Sequence, residues 1–393
     1  MGCFGWMSHE GRHVQTILMG GLRWRQTLYT SMWGLQAPSL WLQTGLAPLW
    51  LASQCYRGLA RGHLASYTWG IRRQHQLPCL VVSIGNLTLG GTGKTPLTMW
   101  VARWYQQQGW RVAVLSRGYG AHSVARLRVV SSGHGPLLDW QAAGDEPYLL
   151  ACSLPGVPIL IGKDRYHTGR YAYEQFGAQV LILDDGFQHH ALQRDLDIVL
   201  IDASNPFGPG TLFPRGILRE PLRALRRADA IVLTRAEMAG ATLPTLCQQI
   251  RRWNSQQPIY RMVTVVETLR RQDTRSAVDL VALRQCRVVA FVGIGNPQAF
   301  VSTLTQLGAE VVALLVFPDH HPYTQEDWRN IMATVNTQQA GCLVTTEKDA
   351  VRLAPFWHAS VPLYTLRIGV TFAASDPLFS HQLQALMSHA DSR

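Results

Sequence analysis

Acidic residues are missing from the first third of the chain: no aspartate or glutamate lies between Glu10 and Asp139, where Lys94 and a dozen arginines fall. Lysine is scarce as well, for among 36 basic residues only Lys94, Lys163 and Lys348 are lysines, and the net charge is +11. Such a surface seeks anions. Nucleic acid, anionic headgroups and phosphorylated small molecules all fit, and charge alone does not choose among them; a genomic bias gives the same arginine preference. Seven cysteines, an odd number with no C-x-x-C pair, suggest neither a zinc site nor a disulfide framework and point to a reducing compartment. A secretory leader is not in evidence at the start of the chain. Long hydrophobic runs are absent too: the apolar series Leu40, Trp41, Leu42, Leu46, Leu49, Trp50, Leu51, Tyr56 and Leu59 is broken by Gln43, Pro48 and Gln54. It falls short of the roughly 20 apolar residues a spanning helix needs. Two readings stay open for it, a helix lying in a membrane interface and an amphipathic helix packed on its own domain.

With 47% hydrophobic and 16% charged residues, the 393-residue chain has enough apolar material for two folded cores. Residues 1–35 show no sustained period and read as an extension; residues 36–75 hold the amphipathic helix. From residue 80, short apolar runs alternate with helical stretches: Leu80–Ile84, Val112–Leu115, Pro158–Ile161, Val180–Leu183, Ile198–Ile201 and Ile231–Leu233. That rhythm predicts a mostly parallel sheet with helices on both faces, and polar residues following each run gather at its carboxyl edge, where open α/β folds bind ligands. A P-loop NTPase-like core over 76–257 is expected. An extended two-stranded linker over 258–285 then leads to a second, smaller α/β domain over 286–393, built on Val288–Phe291, Val311–Phe317 and Leu343–Thr345.

The core's first strand runs into Gly85-Asn86-Leu87-Thr88-Leu89-Gly90-Gly91-Thr92-Gly93-Lys94-Thr95-Pro96. This meets the phosphate-loop pattern G-x-x-x-x-G-K-[ST] everywhere but its first position, where Thr88 stands for glycine. Gly90, Gly91, Thr92 and Gly93 turn backbone N–H groups toward phosphate, Lys94 reaches the β- and γ-phosphates, and Thr95 ligates Mg²⁺. The loop names ATP or GTP as ligand. A second run ends in Asp184-Asp185-Gly186-Phe187-Gln188-His189. Adjacent carboxylates repel unless a cation lies between them, so a metal explains the pair economically. Asp145, in Gly144-Asp145-Glu146-Pro147, reads as a helix cap or as a functional carboxylate. Arg117, Arg165 and Arg219 follow strands, where guanidinium forks suit phosphate. His320 and His321 follow the second domain's strand.

In this order, these segments together with Ser116-Arg117-Gly118-Tyr119, Gly162-Lys163-Asp164-Arg165, Leu218-Arg219-Glu220-Pro221, Phe317-Pro318-Asp319-His320 and Thr345-Thr346-Glu347-Lys348-Asp349 resemble the tetraacyldisaccharide 4'-kinase family over residues 36–375. The resemblance implies transfer of the ATP γ-phosphate to the 4'-hydroxyl of a lipid A disaccharide 1-phosphate at the cytoplasmic face of an inner membrane. It implies Asp145 as the base with His320 as partner, and Asp184, Asp185, Thr95 and Glu146 around Mg²⁺. Arg117, Arg165, Gln188, His189 and Arg219 then belong to the substrate, and the 36–75 helix docks on the membrane. No obligate protein partner is evident. A partner-regulated P-loop switch ATPase is the chief rival, although such proteins carry a lysine before the paired glycines, where Leu89 stands here. Nucleic-acid binding draws on net charge alone, with no aromatic-basic motif behind it.

Overall fold

The computed structural model describes residues 3–7, 13–18, 46–119, 126–274, 276–353, 356–357, 361–373 and 378–390. Leu40, Trp41, Leu42 and Gln43 of the amphipathic run lie outside them, as does most of the 1–35 segment. Two compact units divide the chain, a larger one of Arg23–Thr264 with Val370–Arg393 and a smaller one of Met1–Leu22 with Val265–Gly369.

Strands β1 (Cys3–Met7) and β2 (His13–Leu18) belong to the smaller unit. The larger unit supplies β3 (Leu80–Asn86), β4 (Val112–Ser116), β5 (Arg128–Ser132), β6 (Pro158–Ile161), β7 (Val180–Asp184), β8 (Leu196–Asp202), β9 (Ala230–Thr234) and the start of β10 (Ile259–Arg271). Their order is β10-β9-β8-β3-β7-β4-β6-β5, parallel throughout except for the antiparallel edge strand β5. Every residue of β3, β4, β6 and β7 is buried. The two-residue period of a strand explains how. Leu80, Val82, Ile84, Val112, Val114, Val180 and Ile182 pack on one face, while Val81, Ala113, Leu115, Leu181 and Leu183 pack on the other. Both faces need cover, and the crossover helices Lys94–Gln107, Asp145–Ser153 and Arg165–Phe176 provide it. The expected parallel sheet with helices on both faces is therefore present.

The carboxyl-terminal helix Leu378–Ala390 returns to this larger unit, where Phe379 and Leu383 join the core beside Tyr105, and the Tyr260 hydroxyl donates to Gln382 at 2.8 Å. The described residues from Val370 on thus belong to the larger unit, whereas the sequence pattern groups them with the 286–393 domain.

In the smaller unit, β12 (Arg287–Val292) lies between β13 (Glu310–Val316) and β14 (Cys342–Thr346), all parallel, after the short β11 (Ala277–Val278) that pairs with β10; β15 (Leu363–Phe372) runs beside β14. Its outer edge differs from expectation. The β1–β2 hairpin, read as an extension, adds β2 in parallel to β13. Neighbouring strand starts also bring the Cys286 and Cys342 sulfurs to 3.0 Å, a proximity their spacing of 56 residues hides.

Candidate active site

Asn86, the last residue of β3, opens the phosphate loop, and Gly93 ends it as the cap of helix Lys94–Gln107. Gly90 (φ 100°) and Gly93 (φ 87°) sit in the left-handed region, where a side chain is strained, and a Cβ on Gly93 would stand 3.2 Å from the Met262 methyl. The helix has no side-chain cap, so its first N–H groups are left for an anion. Asn86 organises the loop from within: its amide donates to Thr92 Oγ1 at 3.0 Å and its Oδ1 accepts from Lys94 Nζ at 3.3 Å. From outside, Leu89 N donates to the Ile217 carbonyl and Arg219 N to the Leu87 carbonyl, each at 2.7 Å. Thr88, at the position usually held by glycine, is buried in a bridge to Leu218. Strand-like pairing there replaces the flexibility a glycine gives.

On the strand beside β3, β7 delivers Asp184, 1% exposed, which accepts from the Thr98 hydroxyl at 3.3 Å. Asp185 follows in the left-handed region (φ 54°) and takes both oxygens to Arg219 Nη1, at 2.9 and 2.7 Å, with Lys94 Nζ at 3.5 Å. Burial pushes the Asp185 carboxyl up, but Lys94 and Arg219 outweigh it and hold the pKa at about 2. Asp185 and Arg219, expected at metal and at substrate, here engage each other. Gln188 is likewise spent inside the protein, its amide donating to the Asn86 carbonyl at 2.9 Å and to Glu220 at 3.1 Å. Glu220 in turn receives both guanidinium nitrogens of Arg227, which lies 4.5 Å over the Phe187 ring. His189 keeps its Nε2 buried without a hydrogen-bond partner, and burial, then Arg165 and Arg194, lowers its pKa to about 4. It is neutral at pH 7.

Helix Asp145–Ser153 begins at Asp145 itself. Its cap is Gly144, without a side-chain bond, so the capping reading of Asp145 does not hold. Only 6% of Asp145 is exposed, and Glu146 follows in the same first turn. A Cβ on Gly144 would stand 2.6 Å from the Tyr119 carbonyl, so only glycine lets the Arg117–Tyr119 segment approach this turn so closely. Arg117 is exposed, whereas Arg165 is 3% exposed, with Nη1 2.5 Å from the Gly162 carbonyl. Burial lowers the Arg165 pKa to about 10, and Asp184 opposes the shift. The cation therefore persists at neutral pH beside the β7 carboxylate.

His320 lies in the smaller unit, in the left-handed region (φ 59°), with Nε2 3.8 Å from Asp319. Its neighbour is engaged elsewhere, for His321 Nε2 is 2.9 Å from Asp327 and its ring stacks on Phe317 at 5.0 Å.

A hydroxyl at Thr95 and a buried carboxylate at Asp184 fit Mg²⁺, which takes one or two carboxylates and fills the rest of its shell from phosphate and water. Among the described residues no three His, Cys, Asp or Glu side chains cluster for a metal, in keeping with that sparse donor set. The sequence pattern assigns no role to Asn86. Arg235, after β9 in the left-handed region (φ 53°), pairs with Asp202 and donates to the Gly91 carbonyl at 3.0 Å. The sequence offers only that an acid and an arginine follow the successive apolar runs Ile198–Ile201 and Ile231–Leu233, and their register appears in the fold alone.

Comparison with known proteins agrees with this geometry. The family model described as "Tetraacyldisaccharide-1-P 4'-kinase" matches residues 46–388. A tetraacyldisaccharide 4'-kinase of Anaeromyxobacter sp. (strain Fw109-5) is 44% identical over 351 residues, covering 88% of this chain and 93% of its own. That of Syntrophus aciditrophicus (strain SB) is 46% identical over 304 residues, covering 75% and 81%. Among solved structures, the "apo" form of LpxK from Aquifex aeolicus in complex with ATP is similar at 32% identity and a TM-score of 0.69, over 89% of this chain and 99% of that one. On the strength of the family match and these near full-length relatives, the chain belongs to the tetraacyldisaccharide 4'-kinase family.

Proposed function

We infer that this chain transfers the γ-phosphate of ATP to the 4'-hydroxyl of tetraacyldisaccharide 1-phosphate, forming the lipid IVA precursor in lipid A biosynthesis. The observation that carries the reading is Lys94, at the start of an uncapped helix and within 3.5 Å of both Asn86 and Asp185, in a chain that matches the kinase family over most of its length. Phosphoryl transfer asks little covalent chemistry of a protein and much positioning. Lys94 exchanges its contact with Asp185 for the β/γ-phosphate oxygens, and the Gly90–Gly93 amides hold the same phosphates. Thr95 and Asp184 would hold Mg²⁺, which would supply charge neutralisation on them.

A sugar hydroxyl is a poor nucleophile at neutral pH, so a positioned base is needed. Asp145 is proposed as that base, supported by the family motif order and by its buried position at the start of an uncapped helix, and His320 is proposed as a catalytic residue on motif order alone. Glu146 is proposed beside the metal, and Arg117 and Arg165 are proposed at the anionic groups of the substrate. Gln188 and Arg219 act on substrate through the loop they brace, and His189 is proposed as a further substrate contact.

The lipid acceptor requires access to a bilayer surface. No helix among the described residues is long and apolar enough to cross a membrane. Helix Ala47–Thr68 exposes Trp50, Leu51 and Leu59, and Trp69 and Ile71 follow it, all more than half exposed. We propose that this face, with Arg57 and Arg61, rests on the cytoplasmic leaflet of the inner membrane. Purified protein given ATP, Mg²⁺ and the disaccharide 1-phosphate in detergent should form the 4'-phosphorylated product. A folded protein that makes none, or that only dimerises with nucleotide, overturns the assignment.

A further inference from the structure

Two strand ends reach the phosphate loop through one side chain that the proposed reaction does not use. Asp202 closes β8 and Thr234 closes β9, and the two residues are paired in register. Asp202 is fixed on one side, its Oδ1 accepting from Ser204 N at 3.0 Å and from Ser204 Oγ at 2.6 Å. Its Oδ2 receives Arg235 Nη1, and the other guanidinium nitrogen, Nη2, donates to the Gly91 carbonyl at 3.0 Å. Arg235 holds a left-handed backbone (φ 53°, ψ 35°), which a non-glycine residue keeps only when its surroundings determine it. Turning there aims its side chain across the sheet edge instead of along β9.

We propose that Arg235 is a positioning residue that clamps the phosphate loop, an inference that rests on the kinase reading above. The electrostatic reason is specific. A nucleotide-binding loop works by converging N–H groups on phosphate, and any carbonyl that rotates inward meets the anion with its negative end. Gly91 has no side chain, and the space where a Cβ would stand is open. Arg235 supplies the missing restraint by holding the Gly91 carbonyl outward. Asp202 keeps the planar guanidinium aimed, and the fork reaches both acceptors at once. The loop is thereby preorganised before nucleotide arrives, and the ordering cost of binding falls.

The test compares wild type with Arg235→Ala, Arg235→Lys and Asp202→Asn, measuring calorimetric affinity for ATP and for inorganic tripolyphosphate, together with KM for ATP, kcat and urea midpoint. Losing a charge-assisted bond to the loop should weaken both ligands by about tenfold in Arg235→Ala, raising KM while kcat stays within about threefold. Arg235→Lys, with one donor head for two acceptors, should recover only part of the loss. In the double variant Asp202→Asn with Arg235→Ala, affinity should be no worse than in Arg235→Ala, because the two side chains act as one unit. A loss confined to ATP, with tripolyphosphate unaffected, would make Arg235 a nucleobase contact and overturn the clamp. Unchanged affinity for both ligands, or a loss matched by a collapsed urea midpoint in every variant, overturns it as well. If wild type binds neither ligand, the kinase reading fails and the clamp with it.

Discussion

Gly85 offers the sharpest steric test of how the two nucleotide strands are spaced. It lies in β3, buried, one residue after Ile84, whose carbonyl accepts from Gly186 N at 3.0 Å. The Asp184-Asp185-Gly186-Phe187 turn therefore folds directly over it. A Cβ on Gly85 would stand 2.6 Å from Phe187 Cβ and 2.7 Å from Phe187 N, against ordinary contacts of 3.4–4 Å. Phe187 is fully buried and lies under the Arg227 guanidinium, so the strain falls on backbone. Relief needs a shift of about 0.8 Å in a close-packed interior. Replacing glycine with alanine in an unstrained strand otherwise favours the fold by roughly 0.5 kcal/mol; overpacking costs about 1–3 kcal/mol and more when backbone must move, so the clash decides the sign. Gly85→Ala should lower unfolding free energy by about 2 kcal/mol. By displacing Asp184, the proposed Mg²⁺ ligand at the end of β7, it should also cut kcat on the order of 10²-fold. Urea unfolding and detergent-phase kinase turnover measure the two. Gly91→Ala is the stability control, since its Cβ would meet nothing within 4 Å. A Gly85→Ala protein within about 0.5 kcal/mol and twofold of wild type would refute the packing argument.

Other expectations follow from the same edge of the sheet. Asp145→Asn should lose turnover by at least about 10²-fold while ATP affinity stays near wild type, as expected of a base acting on the acceptor; lost ATP affinity with normal residual turnover would put Asp145 in the nucleotide site instead. Arg219→Ala removes the bidentate partner of Asp185 and leaves Lys94 as its remaining cation among the contacts described, so ATP must compete harder for Lys94. KM for ATP should rise several-fold, and an unchanged KM argues against the exchange. Burial first, then Arg227, Arg194 and His63, lowers the His190 pKa to about 3, and His189 lies at about 4. Unfolded histidine takes its proton near 6.5, so between that pH and about 4 the unfolded state binds more protons and stability falls as pH falls. The urea midpoint should drop from pH 7.5 to pH 5, and less so in His190→Asn; a flat profile contradicts the shifts. Trp50→Ser with Leu51→Ser and Leu59→Ser should weaken flotation with anionic vesicles while detergent-phase turnover persists, and full vesicle binding by that variant removes the docking face.

Much of this arrangement was written in local pattern. Runs such as Val180–Leu183 are short, apolar and followed by acids, and a strand buried on both faces admits little else, so β7 and the carboxylates at its end were legible. The phosphate loop was legible for the same reason, since its constraint is local backbone geometry at Gly90 and Gly93. Partnerships were not. Asp185 with Arg219, Gln188 with Glu220 and Arg235 with Gly91 join residues 32 to 144 positions apart, and no periodicity encodes which cation a carboxylate finds. The same holds for Cys286 and Cys342, which meet because β12 and β14 are neighbours, and for the carboxyl-terminal helix, whose Phe379 and Leu383 look like any amphipathic pair until the Tyr105 surface is known.

These unread partnerships share a direction. Asn86, Gln188, Arg219 and Arg235 all bond backbone or side chains of the phosphate loop and its flanks, and they come from four different segments of the larger unit. Short motifs specify which groups touch phosphate, because those groups must be adjacent in the chain to converge on one ion. Side chains that hold such a motif in shape face no similar demand, and any strand end within reach serves. Arginine suits that bracing role better than lysine, since a planar fork satisfies two acceptors with less ordering. In this chain Arg227 binds two oxygens of Glu220 through its two terminal nitrogens, and Arg235 binds both Asp202 and Gly91 in the same way. Lys94, by contrast, must let go of Asp185 to reach a phosphate, and a compact single head is suited to being handed over. The scarcity of lysine is thus compatible with its retention at the one loop position where the cation has to move.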